Sequence, residues 1–168
     1  MSLKNFKDSL HALLESAGEG WQRLRRSAAG AMTAFRTGDD AGMPARTDVD
    51  DAGYLPTHAW SMLGGDLFED ERRLVVRLEV PGMAKEDFQI EVIDDLLVVR
   101  GEKRFTRESS DGRYRMLQCA YGSFRREVAL PVPVAVGGAT AAYERGVLRI
   151  ELPKAEPGHP KLRTIPVR

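Results

Sequence analysis

The sequence predicts an all-β fold: one antiparallel β-sandwich, preceded by a helical arm and followed by an extended tail. Three observations carry that reading. Five strand-length runs, 74–80, 88–93, 96–102, 123–130 and 146–152, are rich in β-branched residues and alternate or run apolar. Turn chemistry stands between them: Pro81-Gly82, Asp94-Asp95, Asp111-Gly112, Pro131 and Pro133, Gly137-Gly138, and Arg145-Gly146. No helical period intervenes anywhere between Trp60 and Pro153.

Ahead of the strands, residues 1–36 space Phe6, Leu10, Leu13, Leu14, Ala17, Trp21, Leu24, Ala28, Met32 and Phe35 by mostly three or four positions. That is the spacing of one helical face, and it predicts an amphipathic arm. Gly18 and Gly20 predict a break in its middle, since each costs about 1 kcal/mol relative to alanine inside a helix. The opposite face is net basic, with Lys4, Lys7, Arg23, Arg25, Arg26 and Arg36 against Asp8, Glu15 and Glu19. Three roles suit such an arm: packing within an assembly, capture of apolar surface on other proteins, or lying on an anionic membrane. The interrupting acids weigh against the membrane. Residues 37–59 then turn acidic and rich in glycine and proline, which reads as a flexible linker.

Within the sandwich segment, 60–153, one interval is too long for a simple turn. Residues 103–121 carry their own strand-like piece, "RYRMLQCA", and loops beyond about 12–15 residues are uncommon without a role. A short strand at the tip of an excursion has unpaired backbone groups that call for a partner, and a second subunit would supply one. The last segment, 154–168, is polar and proline-rich until Ile165-Pro166-Val167. In extended backbone, side chains two apart share a side, so Ile165 and Val167 project together as two pegs on a flexible tether.

Composition narrows the function classes. The 168 residues hold 25 lysines and arginines against 25 acids, a balance that argues against a dedicated nucleic-acid binder. A single cysteine, Cys119, rules out an internal disulfide and fits a reducing compartment. No run approaches the roughly 18 apolar residues of a membrane span, and the N-terminus lacks the continuous apolar core of a secretory signal. The expected location is the cytoplasm. His11, His58 and His159 stand apart from any ligand cluster. Asp94-Asp95 reads as a turn rather than a catalytic pair, and Ser123 lacks a nucleophile elbow. Neither Gly64-Gly65 nor Gly137-Gly138 has the lysine and spacing of a phosphate cradle. The chain is expected to be no enzyme and to need no cofactor or metal.

Four motifs in order then resemble one family. "LEVPGMAKEDFQIEVIDDLLVVRGEKR", "YGSFRREVALP", "AAYERGVLRIELPK" and the terminal "IPV" are similar to stretches of the small heat-shock proteins of the α-crystallin family, in its bacterial and plant style. "AWSMLGGDLFEDER" resembles the family's first core strand, with Gly64-Gly65 intruding. Arg145 stands where the family has asparagine. Asparagine tolerates positive φ better, so this hairpin turn is expected to be of another type or modestly strained.

The resemblance implies an immunoglobulin-like α-crystallin domain and an ATP-independent chaperone, a holdase, built as a dynamic homo-oligomer of dimers. It implies that Ile165, Pro166 and Val167 enter a groove on a neighbouring subunit bordered by Phe88, Ile90 and Val92 and by the strand containing Ala142. It also implies that Tyr114, Met116 and Leu117 exchange with the partner's first core strand near Asp66–Glu69. Arg126 matches the family's arginine after G-x-F and would pair with an acid of a neighbouring strand or subunit, or else be a solvated strand charge. Phe6, Leu10, Leu13, Leu14, Trp21 and Phe35 are the expected client-binding residues. Partners would be further copies of the chain and unfolding client proteins, with room for hand-off to ATP-driven chaperones. The alternative is a monomeric sandwich that docks as a co-chaperone adaptor on such a machine, which would need neither the pegs nor the long loop.

Overall fold

A computed structural model describes residues 30–38, 42–156 and 162–167. The chain divides into two compact units, Met1–Met32 and Thr33–Arg168, and only residues 30–32 of the first are described. Ten strands follow in chain order: β1 (Met32–Arg36), β2 (His58–Met62), β3 (Gly65–Glu69), β4 (Arg73–Glu79), β5 (Phe88–Ile93), β6 (Leu96–Lys103), β7 (Gly122–Ala129), β8 (Thr140–Glu144), β9 (Val147–Pro153) and β10 (Leu162–Ile165). They form a sheet ordered β10-β5-β6-β7-β1-β2 and another ordered β3-β4-β9-β8. Among the described residues no helix is long and apolar enough to cross a membrane.

Period-two alternation explains why the two sheets share a core. Leu74, Val76 and Leu78 of β4 face inward with Leu148, Ile150 and Leu152 of β9. Phe88, Ile90 and Val92 of β5, Leu97 and Val99 of β6, and Phe124 of β7 meet them from the other sheet. Every one of the five runs read as strands from the sequence is a strand here, and register is continuous through both sheets.

Several expectations are corrected. Helical spacing placed Phe35 on the arm, but Met32–Arg36 is a strand whose Thr33 and Phe35 are buried. Phe35 pairs in register with Phe124, ring centroids 5.0 Å apart. The close approach depends on Gly122, at φ +105°, where an added Cβ would sit 2.3 Å from the Arg36 carbonyl oxygen. A phenylalanine three residues from Met32 and two from Thr33 satisfies both periods, and burial in a sheet decided between them. The described part of the 37–59 segment is likewise no free linker: Val49 and Tyr54 are buried, and the Tyr54 hydroxyl donates to the Pro44 carbonyl at 2.7 Å. β2 ends at Met62 and Gly65 begins β3, so the expected first core strand is two strands in two different sheets.

The Arg145-Gly146 turn closes the β8–β9 hairpin across two residues, Glu144 pairing with Val147. Both lie at positive φ, +52° and +82°, the geometry of a type I′ turn, which favours Asn-Gly over Arg-Gly. We expect Arg145→Asn to raise unfolding stability by about 0.5–1 kcal/mol, read as a shift of the urea midpoint at unchanged slope. A neutral or destabilising result would show the turn unstrained.

Candidate functional site

The slot at the open end of the sandwich is built by three strands. β5 presents Phe88, Ile90 and Val92, all buried, along one side. β8 forms the other side and is fixed to the core by Tyr143, whose hydroxyl donates to the Val80 carbonyl at 2.8 Å. The Tyr143 ring lies 4.9 Å from that of Phe88, so the two sides are braced against each other. A one-turn 3-10 segment, Val136–Gly138, leads into β8 and buries Val136 below the slot.

The tail, the third strand, occupies this slot on its own chain. β10 adds antiparallel to β5, with Ile165 opposite Ile90 and Leu162 opposite Ile93. Val167 makes a parallel bridge to Ala141 on β8. Ile165 is only 2% exposed and joins the core, while Val167 is half-buried against it and Pro166 faces outward. Two pegs two residues apart thus clasp both sides of the slot, while Pro166, which has no N–H to donate, takes no part in the ladder. Seating an isoleucine in this way is worth about 1.5–3 kcal/mol, from which the ordering of the tail subtracts.

Where the resemblance implies a neighbour's groove, the pegs of this single chain lie in its own. The spacer between Pro153 and Leu162 makes that reachable, since eight extended residues span up to about 27 Å. Ala142 was the expected groove residue on β8, but it is exposed, whereas Ala141 is buried and bridges to the tail. A one-residue offset in a strand turns a side chain to the opposite face.

Arg126 makes no ion pair among the described residues. It lies opposite Val99, and its Nε is buried with no hydrogen-bond partner. Desolvation pulls its pKa down, and no acid among the described residues offsets this. The reason is alternation: Glu127 points to the other face, where Arg125 donates to it at 2.7 Å. The residue as a whole is half-buried, with its Nε shielded from water.

The segment around Tyr114, Met116 and Leu117 is not a strand in the single chain. It makes one parallel bridge, Tyr114 to Val49, and leaves Met116 exposed. Facing outward elsewhere is β3, an edge strand whose Leu67 and Phe68 are exposed. Its turn into β4 is held by Asp70, which accepts the N–H groups of Arg72 and Arg73 at 2.9 Å each. Those bonds, with Arg73, hold the Asp70 carboxyl below its ordinary range, and Arg149, with Arg73, does the same to Glu151. A lowered folded-state pKa contributes stability above the ordinary carboxylate range that is lost as pH falls through the lowered value. The expected client residues Phe6, Leu10, Leu13, Leu14 and Trp21 lie outside the described residues. Among the described residues no group of three or more potential metal ligands occurs.

Comparison with known proteins agrees with this architecture. A model of the Hsp20/alpha crystallin family matches residues 66–168. Small heat shock protein C2 of Rickettsia felis is 32% identical over 103 residues, covering 61% of this chain and 66% of that protein. The 16.9 kDa class I heat shock protein 1 of Triticum aestivum is 31% identical over 116 residues, or 68% of this chain and 77% of that one. The chain spans 56% to 66% of the length of the first curated relatives it matches. Among solved structures, heat shock protein 16.0 from Schizosaccharomyces pombe superposes with a TM-score of 0.52 at 31% identity, covering 59% of this chain and 92% of that one. A small heat-shock protein from Xylella fastidiosa, described as having a distinct high order structure, gives 0.50 at 28% identity, covering 60% and 93%.

If the seated pegs hold β10 on β5, Ile165→Gly will speed amide hydrogen exchange in residues 88–93 by about tenfold or more, the equivalent of losing roughly 1.5 kcal/mol of peg burial. Unchanged protection there would mean that the tail strand does not cover the β5 edge in solution.

Proposed function

We propose that this chain, which belongs to the Hsp20/alpha crystallin family, is an ATP-independent holdase that works as a dynamic homo-oligomer. The observation that carries the proposal is the slot between β5 and β8 and its occupation by Ile165 and Val167. The same slot accepts the same pegs from a neighbouring copy, because β-addition and two apolar contacts recognise a segment without regard to which chain supplies it. A tether that reaches its own slot also reaches a neighbour's.

The energetics favour reversibility. Two pegs bury at most roughly 3–6 kcal/mol, and association with tail ordering consumes several kcal/mol of that. One tail contact is therefore weak, and many engaged together hold an assembly through effective concentration. Subunits then exchange, and slots open and close. Vacant slots and the apolar residues of the arm, Phe6, Leu10, Leu13, Leu14 and Trp21, would capture unfolding proteins and stop them from associating with one another. Phe35 drops out of that set, since it belongs to the core.

The building block we propose is a dimer. The Arg113–Cys119 stretch of each copy would leave its own chain to pair with the bare β3 edge of the other, a two-fold exchange that satisfies both edges. Met116 would gain cover by that move, as would Leu67 and Phe68. Arg126 would meet an acid of the assembly that the described residues of its own chain do not provide. Cytoplasmic location is supported by the single thiol, Cys119, which is free and exposed. A monomeric adaptor would need neither the pegs nor the long loop, and this chain has both.

Light scattering on the intact chain should give a mass many times that of one subunit, falling steeply when Ile165 and Val167 are both replaced by glycine. A particle of single-chain mass, insensitive to removal of residues 164–168, would end the assembly reading. Thermal aggregation of an unrelated enzyme should be suppressed without nucleotide at equimolar subunits, and absence of suppression would end the holdase reading.

A further inference from the structure

The long β6–β7 connection is held at home by the acidic segment that precedes β2. The Asp50 N–H donates to the Tyr114 carbonyl at 3.0 Å, beside the Val49–Tyr114 bridge. The Asp50 carboxylate takes two guanidinium groups, with Arg113 Nε at 3.5 Å from Oδ1 and Arg115 on Oδ2. Arg113 also donates to the Thr47 carbonyl at 3.1 Å, and the Leu117 N–H reaches Asp51 Oδ2 at 3.4 Å. Within the segment Val49 and Tyr54 are buried, and Arg46 donates to the Val49 carbonyl at 3.0 Å.

This contact uses backbone groups of the very stretch that loop exchange requires. A carbonyl already bonded to the Asp50 N–H offers less to a second copy's β3, so home pairing and exchange compete. The strength of the home pairing is modest and electrostatic in part: the Arg113 and Arg115 side chains are 57% and 81% exposed and that of Asp50 is 33% exposed. Ion pairs this open to water are screened by salt and rank among the weaker contacts.

We infer that residues 47–51 are a salt-sensitive latch, centred on Asp50, which competes with a second copy of the chain for the Arg113–Leu117 stretch and sets how readily subunits exchange. This rests on the loop-exchange reading of the dimer. The latch has the features such a competitor needs. It recognises the loop by charge and places its own backbone on the contested residues.

The test uses the full chain and two measurements. Amide exchange in residues 113–118 reports the latch itself. Native mass spectrometry after mixing plain and isotope-labelled chains reports subunit exchange. Asp50→Arg, which sets like charge against Arg113 and Arg115, should raise both by about threefold to fivefold at low salt. Salt at about 0.5 M should do the same to the wild type and add little to the variant. Pairing Asp50→Arg with Arg115→Asp should restore much of the protection, which simple local unfolding would not. Amide exchange indifferent to both salt and Asp50→Arg overturns the latch. Faster amide exchange with unaltered mixing overturns its competition with the second copy while leaving assembly intact. A chain that never forms oligomers overturns loop exchange, and this inference with it, whatever the amides show.

Discussion

An open sheet edge is the constraint on which this molecule turns. A strand with one bonded side has a row of amides and carbonyls that water satisfies only while nothing else competes. Of the two sheets, one would end at β5 and carries β10 instead, and the other ends at the bare β3 and at β8. Each feature tied to function is a way of covering, lending or withholding such an edge. The tail adds itself to β5 and bridges to β8. The long loop is bonded to a neighbouring acidic segment through Asp50.

The covering contacts are graded in strength, and that grading suits a reversible machine. Ile165 enters the shared core and is the firmest part of the tail, Val167 is half-covered, and Pro166 contributes rigidity without a ladder bond. Intramolecular seating is favoured by proximity, since a short tether holds the pegs near their own slot at high effective concentration. In the proposed assembly, seating on neighbours would win when many tails engage at once, because each then profits from the others already bound. On the proposed reading, a contact of a few kcal/mol shared between these two outcomes would be a switch set by concentration and crowding of chains.

Much of the fold was legible from residues alone, and the reasons are local. Runs such as "LVVRLEV" and "FQIEVI" alternate with turn pairs so regularly that strand existence needed no tertiary knowledge. The tail was legible for the same reason, because period two puts Ile165 and Val167 on one side wherever they land. Phe35 was not, since its spacing from Met32 fits a helix and its spacing from Thr33 fits a strand. Val49 and Tyr54 were hidden among aspartates and glycines, with too few apolar neighbours to show a period. Ala141 and Ala142 look alike to any local rule, because a pair of alanines has no preferred face until register assigns one. Arg126 was legible as a special position, but its isolation follows from Arg125 and Glu127 pairing on the opposite face.

Local chemistry, then, is enough to mark the strands, the hairpin turns and the two-pronged apolar plug at the end of the chain, because backbone period and turn preference act over a few residues. Three-dimensional packing settled the remainder: which edges the strands leave open, that the plug reaches its own slot, that the root of the arm is a strand against Phe124, and that Asp50 clasps the long loop. Those outcomes bring distant parts of the chain to one place, Phe35 to Phe124, Ile165 to Ile90 and Asp50 to Arg113, and no preference acting over a few residues encodes such a meeting.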